Sequence, residues 1–86
     1  MLDRDRELKF LHKCRQKIGV LVEMWLEMDM KDYSLDVRYV FEDSEHSPVS
    51  LIRLEVPNNP DLSSIHFLCT QNTDNNVKLE WLESWS

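Results

Sequence analysis

The chain has 86 residues, 42% of them hydrophobic, with three Trp, three Phe and two Tyr; this composition excludes wholesale disorder and predicts one domain over residues 1–86. Sixteen acidic residues against ten basic ones give a formal charge of −6, which argues against nucleic acid and anionic membranes as direct partners. No run approaches the roughly 18 apolar residues that span a bilayer, and Met1-Leu2-Asp3-Arg4-Asp5-Arg6-Glu7 lacks the pattern of a signal peptide, so a cytoplasmic or nuclear protein without membrane association is expected.

From Arg4 to Asp29 the apolar residues step by three and four through Leu11, Cys14, Ile18, Leu21, Trp25 and Met28, with Leu8, Phe10 and Val22 widening the stripe. Lys9, His12, Lys13, Gln16, Glu23 and Glu27 take the opposite side, which predicts a half-buried helix. The only glycine, Gly19, falls in its middle, where a kink or a close contact is expected. Past Lys31 and Asp32 the period shortens to two. Leu35, Val37, Tyr39 and Phe41 predict the core face of a first strand and Val40 its outer face. Asp43 to Pro48 reads as a turn, Ile52, Leu54 and Val56 as the core face of a second strand, and Ile65, Phe67 and Cys69 as that of a third. Val77, Leu79 and Trp81 suit a fourth strand, but Val77, Trp81 and Trp85 also suit a short C-terminal helix. The expected fold is α+β: a long N-terminal helix on a three- to four-stranded antiparallel meander, the short loops ruling out parallel crossovers.

Catalytic and metal-binding constellations find no support in the spacing. His12 and Cys14 diverge by about 200° on a helix, and His66 and Cys69 point to opposite faces of a strand, so neither pair shares a metal. Cys14 and Cys69 both fall on apolar faces, where thiols are structural rather than nucleophilic. His46, like the other two histidines, reads as a surface or turn residue, and Ser47-Pro48 as an ordinary turn dipeptide. The carboxylates Asp36, Glu42, Glu80 and Glu83 alternate with apolar residues as on a solvated sheet face. No metal, cofactor or catalytic residue is expected, and the chain is expected not to be an enzyme.

Three features point to a protein partner. A helix of some 26 residues, about 39 Å long, is expected to overhang strands of about 27 Å, leaving Leu8, Phe10 and Leu11 to bury elsewhere. Residues 1–17 hold six basic and three acidic groups, and the remainder four basic and thirteen acidic. This charge order opposes the helix dipole but suits antiparallel pairing with a second copy. On the outer sheet face Val40, Leu51, Leu68 and Leu82, with Trp85 beyond, predict an apolar stripe.

A helix followed by a meander, with Leu54-Glu55-Val56-Pro57-Asn58-Asn59-Pro60 after a central strand, is loosely similar to the RWD-type interaction domains of kinetochore and ubiquitin-pathway proteins. The resemblance rests on element order. The Tyr-Pro and later proline of that pattern are absent, Ser63 and Ser64 standing where the later proline belongs, and no functional residue is carried over. The expected function is a non-catalytic protein–protein interaction module, an adaptor or regulatory subunit, forming a homodimer or heteromeric complex through Leu8, Leu11, Val40, Leu51, Leu68, Leu82 and Trp85. The alternative is an acidic inhibitor or immunity-type protein that blocks a basic site through Asp43, Glu45, Glu80 and Glu83.

Overall fold

The computed structural model describes residues 3–43, 47–62, 65–72, 74 and 76–82. Helix α1 (Arg4–Trp25) is followed by a single 3-10 turn (Met30–Asp32) and strands β1 (Ser34–Glu42), β2 (Pro48–Glu55), β3 (His66–Gln71) and β4 (Val77–Leu82). The strands pair antiparallel in the order β1-β2-β3-β4, the expected meander. Residues 77–82 are therefore strand, and the rest of the alternative C-terminal helix, 83–85, lies outside the described residues.

The Asp3 carboxylate starts α1 by accepting from the Asp5 and Arg6 backbone N–H groups, at 2.8 and 3.5 Å. The helix runs unbroken through Gly19 and stops at Trp25, four residues before the expected end. Leu26 makes the last helical bond, to the Val22 carbonyl at 3.0 Å, and Glu27 takes a left-handed backbone with φ of 53°. Asp29 then caps the 3-10 turn reciprocally with Asp32. Met28 kept the helical apolar period in the sequence because it packs against the core, but it does so from the connecting segment. Trp25, predicted on the buried stripe, is 72% exposed; Leu26 and Met28 fill the core beyond Val22 instead.

The core is the layer between α1 and one face of the sheet. Phe10, Leu11, Cys14, Ile18 and Val22 pack on Ile52, Leu54, Val56, Ile65, Phe67, Cys69 and Val77. Of the three residues expected to overhang, Phe10 and Leu11 are thus buried in the chain's own core, while Leu8 stays exposed. Phe67 and Trp81, cross-strand partners, add an edge-to-face pair with ring centroids 5.2 Å apart. The helix crosses the sheet obliquely. Near its start Arg6 pairs with Glu42 of β1 at 3.5 Å, whereas farther on Lys17 donates to the Val77 carbonyl of β4.

One irregularity redirects the sheet's side chains. Val37 faces Ile52 and Tyr39 faces Leu51, so Arg38 is an extra residue, a β-bulge in β1. Before it, Leu35 and Val37 point to the helix, as expected. After it the alternation is inverted: Val40, opposite Ser50, packs against the core, while Tyr39 and Phe41 turn to the outer face. The expected placement of Val40 outside and of Tyr39 and Phe41 inside is thereby corrected. The fully buried Ser50 hydroxyl donates to the Tyr39 carbonyl at 2.9 Å, satisfying a backbone group next to the break in the ladder.

Substitutions on either side of the bulge separate its two faces. Val40→Asp is expected to cost about 3 kcal/mol by burying a carboxylate in the core, and Phe41→Asp under about 1 kcal/mol, compared by urea denaturation. Glu27→Gly is expected to gain about 1 kcal/mol by relieving the left-handed residue, seen as a melting temperature raised by about 4–8 °C.

Candidate functional site

The sheet face away from α1 gathers side chains from all four strands. The pairing sets Tyr39, Leu51, Leu68 and Glu80 in one row across it and Phe41, Val49, Thr70 and Lys78 in the next. Tyr39 and Phe41 are 39% and 46% exposed, with ring centroids 5.5 Å apart, while Leu51 between Tyr39 and Leu68 is only 2% exposed. Leu68 and Leu82 are half-buried. The apolar strip therefore runs from two exposed aromatic rings on the edge strand β1 toward the middle of the sheet.

An ionic group borders this strip. Asp36 meets Arg38 at 2.9 Å and Arg53 at 3.7 Å, and Arg53 also pairs with Glu55. With the buried His66, these arginines and Tyr39 line a recess of about 400 Å³ above Leu51. The Arg53 Nε is buried and has no hydrogen-bond partner among the described residues. The carboxylates at hand offset both guanidinium charges, so the recess presents a nearly neutral, hydrogen-bonding rim rather than a basic patch.

The residues singled out in the sequence divide accordingly. Leu51, Leu68 and Leu82 lie on the outer face as expected. Val40 and Leu11 belong to the chain's own core, and Leu8 is exposed on α1. Trp85, together with Glu45, Glu83 and His46, lies outside the described residues. Tyr39 and Phe41, absent from the expected strip, are its most exposed members. Only Val40 departs from the apolar alternation of residues 35–41, and an apolar residue at an outward position reads as one more member of the strip rather than as the mark of a bulge at Arg38.

A second face is a groove of about 670 Å³ between α1 and the segment that enters β1. His12, Arg15, Gln16, Gly19, Val20 and Glu23 form its helix side, and Met30, Tyr33, Ser34 and Leu35 the other. A Cβ on Gly19 would meet the Tyr33 hydroxyl at 3.5 Å, an ordinary contact distance, so Tyr33 closes on the helix where its side is barest. Burial, then the charges of Glu23 and Asp29, push the Tyr33 phenol above its ordinary value.

The two cysteines meet in the core. Cys14 of α1 and Cys69 of β3 are both fully buried and unpaired as disulfides. A hydrogen bond with Cys14, then burial and the charge of the neighbouring Cys14 sulfur, push the Cys69 thiol far above its ordinary range. The Cys69 thiol is thereby held protonated, the opposite of what a nucleophile needs. Among the described residues no group of three or more His, Cys, Asp or Glu side chains could hold a metal ion, and no helix is long and apolar enough to cross a membrane. No family model matches the chain, and neither a curated protein nor a solved structure matches it.

The buried thiol pair makes a direct prediction. In the native protein both cysteines should react with a thiol reagent about a hundredfold more slowly than in urea, where both titrate fully. Fast labelling of either one before unfolding would contradict the thiol environment described above.

Proposed function

We propose that the chain is a non-catalytic protein–protein interaction module, an adaptor or regulatory subunit, that takes its partner on the sheet face turned away from α1. The observation that carries this reading is the paired, exposed Tyr39 and Phe41 rings continuous with Val49, Leu51 and Leu68. Aromatic side chains of this kind carry large contact area at low conformational cost, and they are enriched where interfaces gain most of their energy. Their rim suits that role, because Arg38, Asp36, Arg53 and Glu55 already balance one another and leave polar groups at the edge of an apolar centre.

An acidic inhibitor would bind differently. Its energy would come from carboxylates such as Asp43 and Glu80, and its affinity would fall steeply with salt. On the outer face Glu80 shares β4 with Lys78, and β1 and β2 carry Arg38 and Arg53 beside Asp36 and Glu55, a mixed field that favours the apolar reading.

The test is affinity capture from lysate of the source cells with the wild-type chain and with Tyr39→Glu/Phe41→Glu, both at low and at high salt. A partner retained at high salt by the wild type and depleted at least about tenfold by the double substitution is expected. Equal capture by both proteins would remove the outer face as the binding surface, and capture lost to salt alone would favour the carboxylates.

A further inference from the structure

We infer that the groove between α1 and the entry to β1 receives α1 of a second copy of this chain, the two helices running antiparallel about the level of Gly19. This surface lies on the other side of the sheet from the strip proposed above and is argued independently of it.

The groove follows α1 from His12 to Glu23, three turns or about 16 Å, the length over which two helices pack before their axes diverge. Its charge is ordered rather than mixed. Arg15 stands four residues before Gly19 and Glu23 four residues after, both exposed and facing the groove, and neither has an ion-pair partner among the described residues. A helix that places an acid opposite Arg15 and a base opposite Glu23 complements it. In an antiparallel pair centred on residue 19, Arg15 of each copy falls opposite the partner subunit's Glu23, and the match is made twice by one twofold axis. A parallel pair would set like charges side by side. The same axis sends the exposed Leu8 toward the far end of the partner's groove, where Met30 is 73% exposed, and covers the exposed Val20 on both copies.

Glu27 and Asp29 lie beyond the end of α1, so within its second half Glu23 is the one acid, and it is Arg15 with Glu23 that sets the direction of the pairing. Gly19 contributes by having no side chain at the centre. The Tyr33 hydroxyl already lies against it there, and the groove floor stays shallow enough for a second helix to approach.

The experiment is light scattering coupled to size exclusion at about 100 μM and low salt, a concentration that populates a dimer of micromolar affinity. Four samples are run: the wild type, Arg15→Glu, Glu23→Arg, and an equimolar mixture of the two variants. The wild type should show twice the 10.3 kDa chain mass. Each variant alone sets like charges across the pair and should dissociate at least about tenfold more readily. The mixture should regain the doubled mass. One variant then carries glutamate at both positions and the other arginine at both, so every contact across the mixed pair again joins opposite charges. Circular dichroism checks that both variants, altered only at exposed positions, remain folded. Tyr39→Glu/Phe41→Glu should dimerise as the wild type does; if it does not, the outer face carries the pairing. A monomeric wild type, or a mixture no heavier than its components, would overturn the proposal.

Discussion

A single helix cannot cover four strands. At about 4.8 Å between neighbours, the sheet is about 14 Å from β1 to β4 before side chains are added, whereas a helix with its side chains is about 10 Å wide. Where α1 sits on the sheet therefore decides what remains open. The buried Cys14, Ile18 and Val22 hold it over Phe67, Cys69, Ile52 and Leu54, and Lys17 ties it to the start of β4. The helix diverges from β1 as it runs, from Arg6 paired with Glu42 near its start to Lys17 bonded to β4. The groove is the wedge left by that divergence, partly filled by Met30, Tyr33 and Leu35.

The bulge at Arg38 shapes the opposite face. It leaves one residue of β1 without a partner and exchanges two aromatic rings for one valine: Val40 enters the core, Tyr39 and Phe41 leave it. Without it both rings would crowd the helix-facing layer beside Ser50 and Ile52, and the outer face would lose its largest apolar side chains. Ser50 fits this arrangement, since a small hydroxyl residue facing the helix both leaves room and donates to the Tyr39 carbonyl.

Most of the architecture was legible from period alone. The 3.6-residue spacing of Phe10, Leu11, Cys14, Ile18 and Val22 and the alternation of Ile52 with Leu54, and of Phe67 with Cys69, report burial on one face, which is what periodicity measures. The misplacements have a common cause. Tyr39, Phe41 and Trp25 are apolar residues that keep the period without being buried, and Met28 keeps it without being helical. A pattern of residue types records what could face a core; it cannot count an unpaired residue such as Arg38 or locate a helix end set by the left-handed Glu27, which has neither a glycine nor an asparagine to mark it. The same holds for the outer face. Leu51 and Leu68 were visible as a strip because β2 and β3 are regular, and the strip's exposed end was missed because β1 is not.

The bulge also bears on how the protein behaves as it is made and concentrated. β1 is an edge strand, and an edge offers a row of free N–H and C=O groups on which a like chain can add and propagate a fibre. A regular strand reading Leu-Asp-Val-Arg-Tyr-Val-Phe would be a good template for such growth. Interrupting its hydrogen-bonding register at Arg38, with a charged side chain at the break, leaves only short stretches on either side that another strand could match. The residue that turns two aromatic rings to the surface thus also guards the edge that carries them against aggregation.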